Sequence, residues 1–402
     1  MTLLDLESLA VVHFFLAGPF TYLFVRQQTG NRAAALAGGL IFTFGSYLTS
    51  YPALQMAILE TVVWTPLALL LVASAVSRKS PVLWASLGVV LAVAVLAGHP
   101  QQAAYLYYLV AAFAVFTILT SAKPGPGSLS RVASSYLPHL GCLLLAFIIS
   151  VGLASAQLLL SWDLISLSSR SEDLSYQFTR DGFGLVEAFG LVFPDFLGGK
   201  PFFLGSVPVL LIIMGLFRPR LRGTMFWIGA VVVAFLLSFG GNLPFYEAAH
   251  CCLPGFSMFR GQERAVSILS LAGSILSGYG LASALTWKGA ALGKRLRIVG
   301  RIAAVASGVS ALIAIFGLLT GLLDWPFYAP NLGPNAAAAA IVFGVAGLMV
   351  YLWRTGRLSR VLATAGLVAL ATAQLLVANW YNFEPGGKSG FDPTPLTSFL
   401  QT

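Results

Sequence analysis

Apolar stretches long enough to cross a lipid bilayer recur from one end of the chain to the other, and this recurrence decides its fold class. A helix rises about 1.5 Å per residue, so roughly 20 apolar residues cover the ~30 Å hydrocarbon layer. Such stretches run over 8–25, 33–50, 54–76, 81–97, 101–121, 136–160, 202–217, 224–239, 265–285, 302–323, 336–353 and 361–379. Hydrocarbon offers the backbone no partners, so each crossing segment must satisfy its own N–H and C=O groups. The runs are continuous, which favours helices. We therefore expect an all-α polytopic integral membrane protein with about 12 transmembrane helices, forming a single domain over 1–402. Charged residues make up only 9% of the chain, far below the ~25% of a soluble domain.

The connections alternate in chemistry as they alternate in order. One set reads RQQTGNR, SRKS, AKPGPGSLSR, RPRLR, WKGAALGKRLRIVGR and WRTGRLSR, and it holds 17 of the 23 Lys and Arg residues with no acid. The other side, with both termini, holds the acids and six bases: Arg170, Arg180, Lys200, Arg260, Arg264 and Lys388. Short loops rich in Lys and Arg stay in the cytoplasm. The first set is thus expected inside, and both termini outside. The net charge of +9 comes from this cytoplasmic edge and is not read as nucleic-acid binding. Met1–Glu7 carries Asp5 and Glu7 instead of a basic stretch, so a cleavable signal peptide is not expected.

The long polar interruption at 161–201 contains Asp163, Glu172, Asp173, Asp181, Glu187 and Asp195. Irregular backbone of this length sits in water or roofs a cavity, and we expect an extracytoplasmic loop or lid between spans six and seven. The segment 380–402 is expected as an extracytoplasmic tail. Cys142, Cys251 and Cys252 form no CxxC or Cys/His spacing, so a metal site is not expected. No phosphate-binding glycine loop is present, and no cofactor is implied.

Candidate site residues gather on the outer side. Glu60 lies roughly 9 Å inside the third span, at 1.5 Å per residue. An ionisable group at that depth is either functional or snorkels to the interface. In LAGHPQQAAYLYY, Gly98 and Pro100 suit a tight helical hairpin. His99, Gln101 and Gln102 then place an imidazole and two amides at the outer rim. His13, His139 and His250 are read as packing residues.

PGFSMFRGQERAVSIL carries Arg260 and Arg264 four residues apart, expected on one helix face with Glu263. Guanidinium groups at headgroup depth bind phosphate in a planar fork, so a lipid-linked phosphate is weighed against ordinary headgroup contact. Arg170, Glu172 and Asp173 form a mixed-charge knot in the long loop, and Asp195 sits in the turn FPDFLGG.

HFFLAGPFTYLFVRQQTGNRAAALAGGLIFTFGSYLTS, LQMAILETVVWTPLALLL, AGHPQQAAYLYY, AQLLLSWDLISLSSRSEDLSY, FPDFLGG, PGFSMFRGQERAVSIL and PTPLTSFL together resemble the bacterial membrane protein YfhO family. That family is similar to the C-type glycosyltransferases, which take a sugar from a polyprenyl-phosphate donor at the outer leaflet. The resemblance implies a bacterial cytoplasmic membrane location and an outer groove for the lipid carrier. Arg260 and Arg264 would face its phosphate, while Glu60, His99 and the Arg170–Asp173 knot would line the vestibule.

Against that pattern, the chain starts at what resembles a later span, so the catalytic acidic first outer loop is expected to be missing. Its far end stops where the family continues into a soluble region. Three functions follow. One is a glycosyltransferase core whose acid comes from another membrane subunit. The second is a non-catalytic subunit of a larger membrane complex, and the third is a lipid or solute transporter.

Overall fold

The computed structural model describes residues 3–50, 55–121, 129–168, 175–194, 200–217, 223–322 and 331–380, and every regular element among them is helical. In chain order the α-helices are α1 (Leu3–Thr29), α2 (Arg32–Phe44), α3 (Ser46–Ser50), α4 (Met56–Val62), α5 (Thr65–Arg78), α6 (Pro81–Leu96), α7 (Pro100–Ser121), α8 (Leu129–Leu153) and α9 (Ser155–Ser166). There follow α10 (Tyr176–Thr179), α11 (Ser206–Leu216), α12 (Thr224–Ser238), α13 (Phe245–Cys252), α14 (Val266–Leu285), α15 (Gly289–Leu322), α16 (Leu332–Arg354) and α17 (Arg360–Asn379). Short connections are closed by local signals. Asn31 caps α2, Ser80 precedes Pro81 at the start of α6, and Ser359 caps α17, each placing a side-chain oxygen on an orphan backbone N–H.

Nine helices among the described residues are long and apolar enough to cross a membrane. The expected spans at 81–97, 202–217 and 224–239 are also apolar helices, but Pro81–Leu96, Ser206–Leu216 and Thr224–Ser238 have 16, 11 and 15 residues. The chain is an α-helical, multi-pass membrane protein by these lengths and compositions.

Three expected spans are interrupted. Gly45 separates α2 from α3, and Ala154 separates α8 from α9. The third span breaks at Val63–Trp64, where Pro66 enters the first turn of α5 and cannot donate to a preceding carbonyl. The basic stretch GAALGKRLRIVGR, expected as a connection, is instead the opening of the 34-residue α15. It has no proline and is rich in good helix formers.

The bundle is built around α14. Of its membrane-length window 94% is buried, against 22% for α15. A helix that is apolar all round and wedged between neighbours needs small side chains to let them close in. Here Gly280 lies so near α11 that an added Cβ would stand 1.7 Å from the Leu211 carbonyl oxygen. Buried hydroxyls stay satisfied at home, as Ser274 donates to the Ser270 carbonyl at 2.7 Å and Ser277 to that of Gly273 at 2.8 Å.

On one flank, Phe24, Phe113 and Trp227 make a three-ring nest with centroids 5.4–5.7 Å apart. On the other, α15, α16 and α17 form a second apolar cluster with α11. Large apolar side chains such as Phe15, Leu144, Phe316 and Ile341 remain exposed around the outside, as lipid-facing residues do.

The connections sort to two ends. Gln27 donates to Ser74 at 2.9 Å, Tyr279 to Gln28 at 3.5 Å, and Arg360 to the carbonyls of Leu285 and Trp287 at 3.0 and 3.3 Å. Phe217 packs on Trp287 at 6.2 Å. These contacts bring five of the basic connections, or their flanks, to a common end. At the opposite end Tyr47, Gln101, Gln102, Asp181 and Gln262 meet, joined by Asn379 on the Phe44 carbonyl at 3.2 Å.

Candidate functional site

A polar assembly on that second end grows from the α6–α7 hairpin. Gly98 takes φ +89°, a left-handed turn that glycine adopts without a steric cost. α7 then opens on Pro100. His99 caps it, with Nδ1 accepting the Gln102 backbone N–H at 3.2 Å, so Nδ1 is the unprotonated nitrogen. Burial, and then the Arg264 guanidinium, lower the imidazole to about 4. The ring is therefore neutral at physiological pH.

Gln101 and Gln102 follow on the first turn and are 3% and 2% exposed. Buried amides demand partners, and both find them on the segment 259–267. Gln101 Nε2 donates to the Gly261 carbonyl at 3.2 Å and to the Tyr105 hydroxyl at 3.1 Å. Gln102 Nε2 donates to Tyr47 at 2.7 Å and to the Arg264 carbonyl at 3.2 Å. Its Oε1 accepts from Ser267 at 2.9 Å. Tyr105 in turn donates to Gln262 Oε1 at 2.8 Å.

The described part of the long loop presses on the same segment. Gln262 N–H donates to the Asp181 carbonyl at 2.8 Å, and its side chain to the Phe259 carbonyl at 2.8 Å and the Thr179 carbonyl at 3.5 Å. Backbone N–H groups of Phe183 and Gly241 close the contact onto Ser238 and Arg180. Tyr176 stacks on Tyr246, and His250 meets both rings edge-on.

One expectation is revised here. Arg260 and Arg264 do not share a helix face, because Gly261 at φ +76° turns the chain between them and the 3-10 turn Gln262–Ala265 starts only afterwards. Instead Arg264 folds back, donating to the Arg260 carbonyl at 2.9 Å and to Gln101 Oε1 at 3.1 Å. Arg260 is exposed, its guanidinium 5.8 Å from the centre of the Phe178 ring. The two arginines thus differ in kind: one holds the loop, the other faces outward.

Glu263 lies half-buried at the same turn. Glu60 is half-buried on α4, which packs against α7 but forms a separate short helix. Arg170, Glu172, Asp173 and Asp195 lie outside the described residues, as does the tail beyond Trp380. His13 donates within its own helix to Leu9 at 2.8 Å, and His139 packs near Trp84.

Tyr47, Tyr105, Gln262 and Ser267 escaped the sequence reading. Part of the signal was present: Tyr105 lies one turn beyond Gln101 on α7 and takes its amide, whereas Tyr47, Gln262 and Ser267 come from distant segments. The space beside Gln102, Tyr105 and Ser267 is a void of about 10 Å³, the lower limit for a single water. The cluster is a closed clamp that fixes the loop carrying Arg260.

No family model, curated protein or solved structure matches the chain.

Proposed function

We propose that this is a twelve-span membrane protein of the C-type glycosyltransferase kind, which holds a polyprenyl-linked phosphate sugar at the outer leaflet. The observation behind this reading is Arg260. An exposed guanidinium stands on a loop locked by buried amides, over the exposed ring of Phe178 and two residues along the chain from the exposed Met258. A fixed cation with an apolar surround suits a phosphate attached to a hydrocarbon chain. Arg264 and Gln101 act as positioning residues, and His99, kept neutral, caps the helix that supplies the amides.

Arg260→Ala tests the proposal cleanly, because the clamp uses only the Arg260 carbonyl. Binding of polyprenyl phosphate to the protein in detergent should weaken about tenfold, which corresponds to the ~1.4 kcal/mol of one charge-assisted contact. Lys79→Ala, at the opposite end, should leave it unchanged. Equal affinity of wild type and Arg260→Ala would overturn the assignment.

A second reading, that of a non-catalytic subunit, draws on α9. That helix has no buried residue and exposes Leu159, Leu160, Trp162 and Leu164. It predicts a complex larger than the monomer in native membranes that Leu160→Lys with Leu164→Lys disperses, whereas a monomer from the start contradicts it. A transporter needs an ionisable path through the bundle, and His13 is already tied to its own helix.

A further inference from the structure

At the other end of the molecule, α15 and α16 run antiparallel and enclose a groove of about 760 Å³. They approach closely through small residues, where Gly347 faces Ala303 and Ser307 donates to the Ala340 carbonyl at 2.7 Å. One end of the groove is cationic. Arg297 and Arg301 lie one turn apart on the same face of α15, and Arg354 reaches in from the last turn of α16, 5.9 Å from the Tyr351 ring. Among the described residues no acid lines it.

The other end is apolar and open. Phe343 lines it beside Gly344, and a Cβ added at Gly308 would meet nothing within 4 Å. From Arg297 to Gly308 the groove follows α15 for about 16 Å at 1.5 Å per residue. That is roughly half of the ~30 Å hydrocarbon thickness, or one leaflet.

We propose that this groove binds one acidic phospholipid, with its phosphate among Arg297, Arg301 and Arg354 and an acyl chain along the Gly308–Gly344 wall. Basic pockets between transmembrane helices on the cytoplasmic side recognise acidic headgroups in this way. Free phosphate would use only the cationic end and leave the apolar half unexplained. The site rests on the chain being membrane-embedded, and it is separate from Arg260, which lies at the opposite end.

The test uses the full chain in neutral detergent, with retained lipid counted by native mass spectrometry. Dioleoyl phosphatidylglycerol should be retained at least tenfold over dioleoyl phosphatidylcholine. Replacing Arg297→Ala, Arg301→Ala and Arg354→Ala together should remove that preference. Gly308→Phe keeps every arginine but fills the apolar half, and it should reduce retention severalfold at an unchanged melting temperature. Arg260→Ala should have no effect, so failure of the polyprenyl-phosphate reading would be seen separately.

The proposal is overturned if the triple variant keeps the preference. It is also overturned if Gly308→Phe binds like wild type, which would indicate surface charge without a groove. Displacement of the lipid by equimolar glycerol 3-phosphate would equally sink it, because the occupant would then be a free phosphate.

Discussion

His99 shows how a single residue couples the hairpin to its charge surroundings. Its folded pKa of about 4 lies below the ordinary 6.5, so the folded state resists taking up a proton that the unfolded chain accepts. Stability is then full above about pH 6.5, falls as pH drops, and levels off below about 4. Melting temperature measured from pH 7.5 to 4 should decline in that window. His99→Asn, which keeps a capping acceptor but does not titrate, should flatten the decline; an equally steep fall in that variant would exclude His99.

Gln102 offers a harsher test. Gln102→Leu would take the acceptor from the Ser267 hydroxyl and one of the partners from the Tyr47 hydroxyl and the Arg264 carbonyl, which keep their mutual 3.4 Å contact. We expect a loss of about 1–3 kcal/mol, measured by denaturation in detergent. A change below ~0.5 kcal/mol would mean that these groups find other partners. His99, Gln101 and Gln102 were legible in sequence as polar residues at a helix start, but their partners were not. Pairing across some 160 residues depends on how α14 sits against α7, which no local pattern encodes.

Among the elements, α14 controls the packing. Its glycines are contact surfaces, and Gly280 meets the backbone of α11 with no room for a methyl group. Gly280→Leu should therefore separate the two helices, lowering stability by at least the ~1–3 kcal/mol typical of overpacking. Gly293→Ala, where an added Cβ meets nothing within 4 Å, should be neutral or slightly stabilising. Comparing the two melting temperatures checks the claim, and equal behaviour would refute it.

Apolar run length located the helices well, because lipid permits few alternatives. It missed the breaks at Val63–Trp64 and Ala154, where the helices' own bonds continue on both sides, Val63 N–H on the Leu59 carbonyl and Ala68 on Trp64, Ala154 on Ser150 and Leu158 on Ala154, so the apolar pattern runs on unbroken. It also cut α15 too short, since basic residues marked a connection whereas their helix propensity carried the helix onward.

For the whole molecule, the alternation of charge between connections was the most informative feature of the sequence, and the contacts among the described residues bring five of the basic connections or their flanks to one end. That is the Trp287 end of α14, and the amide clamp forms at its Gln262 end. The candidate site was far less legible, because its residues are joined by tertiary contacts and no nucleophile–base or metal spacing marks the sequence.

The two-ended arrangement can be probed with the protein's own cysteines, since Cys251 and Cys252 are exposed beside the clamp. In sealed, right-side-out vesicles a membrane-impermeant maleimide should label Cys251 and Cys252. Lys79→Cys, placed in a Cys251→Ser, Cys252→Ser background, should label only after permeabilisation. Labelling of both positions from the same side of the sealed membrane would contradict the arrangement, and with it the assignment of Arg260 to one leaflet and the arginine groove to the other.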